Sequence, residues 1–203
     1  MKRFCSLFPI TLVILVLVVL NASGSERTKL APDKPDSAII NMDPKEIDPS
    51  LLPLDSIEDL HTTGRPAEVD IEVWQLEVKG AKVKNQISFS YQELSQMDMV
   101  KKKVILICPG FFVDYAEWEG VHLSAILEKV GIEAEYGSIV FHGLDGYSSE
   151  LSWEETQNNL LFLALKVNGE TLPEEHGFPV RLVAEDILGG RWVKWISSIE
   201  VRP

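Results

Sequence analysis

The chain is predicted to fold as an α+β domain with more strand than helix. Three observations lead there. Short apolar segments with period-two alternation recur along the second two-thirds of the chain. Two capping-box spacings, Ser90 with Glu93 and Ser152 with Glu155, mark short helices. Turn pairs such as Asn168-Gly169 sit between strand-like runs.

Each element follows in order. In IEVWQLEVKG (71–80), Val73, Gln75 and Glu77 alternate with Trp74, Leu76 and Val78, the pattern of a half-buried strand. SYQEL opens a short helix at Ser90. Residues 102–108 form a β-rich apolar run, read as a central strand. In VHLSAILEKVG, Leu123, Ile126, Leu127 and Val130 fall at helical spacing, and Gly131 suits the C-terminal cap. SIVFHG reads as a strand, and SWEE starts another helix. LLFLALKVNGETL reads as strand, turn and strand, and VRLVA and RWVKWISSIEV as late strands.

The 203 residues suit one domain with appendages, and 45% hydrophobic content supplies a core. A net charge of -12 argues against nucleic acid or an anionic membrane as the main partner. Residues 1–24 have a targeting pattern: Lys2 and Arg3, an apolar stretch over 6–20, then Ala22 and Gly24 as a small-residue cleavage site. They are read as a signal peptide, or as an N-terminal anchor if left uncleaved. Both imply export to a periplasmic or other extracytoplasmic compartment. Residues 25–60 carry Pro32, Pro35, Pro44, Pro49 and Pro53 among acidic residues and read as a linker or wrapping arm, with disorder as the alternative. The folded domain is assigned to 61–203.

Export makes Cys108 notable. Exported cysteines usually pair, yet the other cysteine, Cys5, lies in the leader. A lone thiol is a buried structural residue, a nucleophile or a metal ligand. Pro109 stops a strand ladder and Gly110 permits a turn, so the thiol is expected at a strand end beside a cleft. Three further segments stand out. FHGLDGYS holds His142, Asp145 and Tyr147, with Asp145 able to serve as a turn cap alone. HGFPVR places His176 and Arg181 around Gly and Pro, a segment able to hold a phosphate or oxyanion, or a solvated loop whose arginine pairs with a carboxylate. GGRWVKW brings Arg191 and Lys194 behind two glycines that permit close ligand approach. The motifs of serine hydrolases, zincins and P-loop nucleotide binders are absent from the sequence. A Cys/His hydrolase pairing Cys108 with His142 or His176 stays open.

These segments, in this order over about 60–201, resemble the sulfite oxidase-like molybdopterin-binding domain family. The resemblance runs through WQLEVKG and SYQEL, CPGFF with WEGV (118–121), FHGLDGYS, and VNGETLPEEHGFPVRLVAEDILGGRWVKW. It implies an α+β fold of mixed sheets with short helices. It also implies a molybdenum–molybdopterin cofactor whose metal is bound by the Cys108 thiolate, a soft ligand for a sulfur-rich site. By the same resemblance His176, Arg181 and Lys194 hold the pterin and its phosphate. Asp145, Arg191, His61 and Arg65 join them as cofactor contacts, and Tyr147 or Trp118 lines the mouth. The implied reaction is two-electron oxygen-atom transfer on a small molecule. Cys108 is followed by PGFF rather than a basic Gly-Asn-Arg run, which turns the expected substrate from sulfite itself toward a sulfoxide or another sulfite-like compound. Electrons would pass through a separate redox partner such as a cytochrome or membrane haem protein, and the chain is expected to act as a monomer. The alternative is a cofactor-free binding module on the same fold.

Overall fold

The structure is a computed structural model that describes residues 27–32, 35–132 and 135–203. The leader expected at 1–24 lies outside the described residues. The arm contains β1 (Thr28–Lys29), α1 (Asp36–Ile39) and β2 (Ile47–Asp48), with β1 and β2 paired in parallel. Next come β3 (Gln75–Gly80), β4 (Ile87–Ser90), α2 (Tyr91–Ser95), β5 (Met99–Cys108), β6 (Phe112–His122) and α3 (Leu123–Val130). The chain continues through β7 (Ser138–Gly143), β8 (Ser148–Ser152), α4 (Trp153–Asn158), β9 (Leu161–Val167) and β10 (Glu170–Thr171). It closes with β11 (Arg181–Ala184) and β12 (Ile196–Arg202).

Two five-stranded sheets carry the domain. One has the order β10-β9-β6-β5, with β11 also paired to β9. The other has the order β4-β3-β12-β7-β8, in which β12 runs parallel to β3 and antiparallel to β7. The local chemistry expected at helix ends is present. Ser90 and Glu93 cap α2 reciprocally, Ser152 and Glu155 cap α4, and Gly131 ends α3 in the left-handed conformation.

The unbroken apolar run of β5 has a packing cause. Val104 and Leu106 enter the main core with Leu76, Phe141 and Leu163. Ile105 and Ile107 point the other way, onto a second cluster with Val113, Tyr115 and the arm residues Leu30, Ile39 and Ile47. A strand buried on both faces reads as continuous rather than alternating. The arm therefore packs on the back of the β5–β6 hairpin through Leu30, Ile39, Ile47 and Leu52, and only its end, Ile57 and Leu60, joins the main core. Each of the three fully buried arm side chains contributes about 2 kcal/mol of transfer free energy against the cost of ordering the arm.

Two sequence expectations need correcting. No element was expected at 112–120, yet the 11-residue strand β6 runs there, antiparallel to β5 from Cys108–Phe112 to Met99–Val121. Three carboxylates and a glycine hide its pattern. The segment RWVKW is also not strand. Gly189–Arg191 forms a 3-10 turn, Trp195 has φ 53°, and β12 begins only at Ile196.

Candidate functional site

The β5–β6 hairpin turns through C-P-G-F. Gly110 sits at φ 76°, and the Phe111 amide donates to the Cys108 carbonyl at 2.9 Å. The turn leaves Cys108 at the strand end, on the wall of a cavity of about 320 Å³. Five of the eight site candidates line that cavity: Cys108, Arg181, Lys194, Asp145 and His61. His176, Arg191 and Arg65 do not.

Arg181 starts β11 and is 6% exposed. Its guanidinium lies over Trp118 at 4.6 Å and Trp192 at 5.7 Å, and Nη1 donates to the His176 carbonyl at 3.1 Å. Its Nε–H has no partner. Burial pulls its pKa down to about 10, with Asp114 opposing. The expected alternative, a solvated arginine on a carboxylate, does not hold. Trp118, expected at the mouth, is instead buried beneath this cation.

Lys194 is the second cation. Its Nζ donates to the carbonyls of Thr63 and Glu175 (2.9 Å to Glu175) and sits over Trp195 at 4.4 Å. Burial and then Arg181 pull its pKa down to about 8. Two desolvated cations on one cavity wall, one of them further destabilised by the other, mark a place built for an anion. Asp145 lines the same wall and caps its own turn, accepting from the Tyr147 amide at 3.0 Å. The Tyr147 hydroxyl donates to the Gly190 carbonyl.

The other candidates act from behind. His176 is buried, offers its carbonyl to Arg181, and bonds the backbone of Ile57. Burial, then Arg181, pulls its pKa down from the ordinary histidine value. Arg191 grips Glu155 through two bonds of 3.2 Å and reaches Ser149 Oγ at 3.3 Å. It thus anchors the Gly189–Gly190 loop, which does line the cavity. A Cβ on Gly189 would meet Leu106 Cδ2 at 2.6 Å and the Ile107 carbonyl oxygen at 3.1 Å, so the loop lies close on β5 and a larger residue there would push the Leu106 side chain aside. Arg65 is exposed.

One group was missed. Asp114, in β6 opposite Leu106, is 4% exposed and lines the cavity. Its Oδ1 accepts from the His61 backbone amide at 3.2 Å and lies 2.8 Å from His61 Nδ1. The His61 ring stacks on Phe112 at 4.8 Å with 8° between planes. Burial pushes the Asp114 carboxyl up, with His61 opposing.

Cys108 has no activating base. Burial, then Asp114, pushes its thiol up, and no histidine bonds it among the described residues. His142 faces Glu200 at 3.6 Å, and His61 is committed to Asp114. A reactive thiol needs the opposite environment, so the Cys/His hydrolase reading loses its geometry. The cavity fits an anionic, metal-bearing group better. It offers one unpartnered soft donor, two desolvated cations and a buried N–H without an acceptor.

Comparison with known proteins agrees. The family described as "Oxidoreductase molybdopterin binding domain" matches residues 62–203. Uncharacterized oxidoreductase YuiH of Bacillus subtilis (strain 168) is 30% identical over 142 residues, 70% of this chain and 71% of that protein. Human mitochondrial sulfite oxidase is 28% identical over 165 residues, 66% of this chain but only 30% of that protein. A nitrate reductase [NADH] of Brassica napus is 30% identical over 173 residues, covering 69% and 19% respectively. The crystal structure of the sulfane dehydrogenase SoxCD from Paracoccus pantotrophus superposes with a TM-score of 0.62 at 23% identity, over 68% of this chain and 40% of that one. That likeness bears on the fold, and it matches the sulfite oxidase-like α+β architecture expected from the sequence. With the matched residues spanning every wall of the cavity except His61, this chain belongs to the oxidoreductase molybdopterin binding domain family.

Proposed function

We propose that the chain binds a molybdenum–molybdopterin cofactor in this cavity and acts as an oxidoreductase on a small molecule, a sulfoxide or sulfite-like compound. The observation that carries the reading is Arg181: a buried, desolvated guanidinium with an unpartnered Nε–H on the cavity wall. Burying such a group without a full set of partners is costly, and a bound anion would relieve that cost. Arg181 and Lys194 would receive the cofactor's phosphate. His176 holds Arg181 in place through its carbonyl, and Arg191 fixes the glycine loop that closes the wall. Cys108 would ligate the metal as a thiolate, since a bound cation reverses the burial effect that keeps the free thiol protonated. The bound cofactor supplies two-electron oxygen-atom transfer, and the protein supplies orientation and a water-poor cleft.

The same reading includes a separate redox partner, such as a cytochrome or membrane haem protein, action as a monomer, and export directed by the leader. The test is the metal and pterin content of protein purified from its native compartment. Near-stoichiometric molybdenum with a pterin oxidation product is expected. Absence of both, after expression in a host that makes the cofactor, would leave a cofactor-free binding module. Cys108→Ser should abolish turnover while much pterin stays bound, and full activity in that variant would refute the ligand assignment.

A further inference from the structure

Seven large apolar side chains are exposed among the described residues, and four of them border the cavity mouth: Phe111, Leu144, Tyr147 and Leu188. They come from three separate segments. Phe111 is 80% exposed in the turn between the lining residues Cys108 and Phe112. Leu144 precedes the lining residue Asp145, and Leu188 precedes the lining residue Gly189. The Tyr147 hydroxyl, donating to the Gly190 carbonyl, joins the last two segments. Phe111, Leu144 and Leu188 do not line the cavity themselves. A small molecule held inside cannot cover them, so the rim is a surface for something larger. Single exposed apolar residues need no explanation, but several converging on one polar-edged opening mark an interaction site.

The charge beside the rim selects the partner. The segments that border the mouth are 57–65, 108–112, 144–147, 174–176 and 188–190. They carry five exposed carboxylates, Glu58, Asp59, Asp145, Glu174 and Glu175, against one exposed arginine, Arg65. Internal contacts hold the acidic segments together. The Thr63 and Glu175 carbonyls share the Lys194 ammonium, and His176 bonds the backbone of Ile57. A Cβ on Gly64 would lie 3.5 Å from the Asp145 carboxylate. An apolar centre flanked by unbalanced acidic charge repels an anionic lipid surface and attracts a protein with the opposite charge.

We propose that this rim is the docking face for the electron-carrying partner, which meets it with an apolar patch ringed by lysines. That the partner carries electrons rests on the molybdenum–pterin reading above. Moving one oxygen atom between water and substrate passes two electrons and two protons, and a haem takes one electron at a time. The partner therefore docks twice per turnover and leaves in between. A small apolar contact steered by exposed, salt-screened charges suits such a short-lived complex. The docked partner also covers the opening through which substrate enters, so the two use the mouth in turn.

The test uses purified full-length protein whose molybdenum and pterin contents have been measured. The probes are a lysine-rich c-type cytochrome with an exposed haem edge and an acidic cytochrome of similar size. The basic cytochrome is expected to bind at least about ten-fold more tightly at about 10 mM than at about 200 mM ionic strength, and the acidic one far more weakly. Carbodiimide coupling of carboxylates to lysines should map to the five mouth carboxylates out of 31 acidic residues. Glu174→Lys combined with Glu175→Lys should weaken low-salt binding about ten-fold. Phe111→Ser should weaken it several-fold without changing its salt dependence. Cross-links on carboxylates away from the mouth, or equal affinity for the two cytochromes, would overturn the proposal even if a variant does not fold. Binding of wild-type protein to phosphatidylcholine vesicles that Phe111→Ser abolishes would assign the rim to a bilayer and overturn it too. Protein full of molybdenum and pterin that binds neither cytochrome would overturn this inference alone. Docking by protein that lacks both, after expression in a competent host, would overturn the cofactor reading and the electron-carrying role with it.

Discussion

Replacing Arg181 with methionine should stabilise the empty protein and cost it the cofactor. Burial lowers the guanidinium's pKa from its ordinary value to about 10. A shift of that size is worth about 3 kcal/mol against the charged form. The sign follows from linkage: the folded value lies below the unfolded one, so the whole penalty is present at every pH below about 10 and fades only above it. At neutral pH the native state bears all of it. Two contacts offset part of the cost. The Trp118 face returns about 1 kcal/mol, and the bond to the His176 carbonyl about 1 kcal/mol more. Methionine fills much of the same space with no charge. The net gain is about 1 kcal/mol, or a melting temperature ~2–4 °C higher for a domain of this size. Loss of a desolvated charge facing a bound anion should weaken cofactor retention at least about thirty-fold. Thermal melting of cofactor-free protein and the metal content of purified protein check the two halves. An Arg181→Met apoprotein that melts several degrees lower, or a variant that keeps its full cofactor, would refute the claim that the site is strained for an anion.

Three further outcomes follow from the same geometry. Lys194 has a folded pKa of about 8, below its unfolded value, so its penalty is complete below pH 8 and relaxes as pH rises. Wild-type apoprotein should therefore gain stability relative to Lys194→Met between about pH 8 and pH 10, read from urea midpoints. Cys108 in apoprotein should react slowly with iodoacetamide at pH 7 and speed up only at alkaline pH, because burial and Asp114 hold the thiol protonated. Rapid labelling at pH 7 would restore the nucleophile reading. Arg191→Ala removes a half-exposed fork on Glu155 and should cost only about 1 kcal/mol of stability. Its larger effect should be faster pterin release, because the Gly189–Gly190 loop loses its anchor.

What the sequence made readable was what local chemistry decides. The capping boxes at Ser90 and Ser152, the apolar stripe of α3 and the turn at Asn168-Gly169 depend on neighbours within a few residues. All appear where expected. The stop after Cys108 was readable for the same reason, since Pro109 and Gly110 act on their own backbone. Strand β6 was not. Its carboxylates Asp114, Glu117 and Glu119 interrupt the apolar pattern, and each is accounted for by a distant partner. Glu117 and Glu119 meet Lys101, Glu119 meets Lys166, and Asp114 meets His61. Arg181 shows the converse. Its residue type suggested a donor, but its lack of a carboxylate partner is a property of packing that no local pattern encodes. Arg191 and Lys194 lie three positions apart, yet one points to Glu155 and the other to the cavity, because the 3-10 turn and irregular 192–195 stretch replace the expected strand.

The arm and the site are two sides of one hairpin. β5 and β6 expose Leu106, Cys108 and Asp114 to the cavity, and Ile105, Ile107, Val113 and Tyr115 to the arm. A strand cannot fix the direction of one face without fixing the other, because successive side chains alternate. The register that delivers the thiol and the carboxylate to the same cavity is thus locked by apolar contacts on the opposite side. Leu30, Ile39 and Ile47 supply those contacts from outside the two sheets. Asp55 adds a direct tie, accepting from the Tyr115 amide at 2.6 Å, one residue from Asp114. The described part of the arm therefore belongs to the machinery that aims Cys108, although none of its residues touches the cavity, which the chain first reaches at His61.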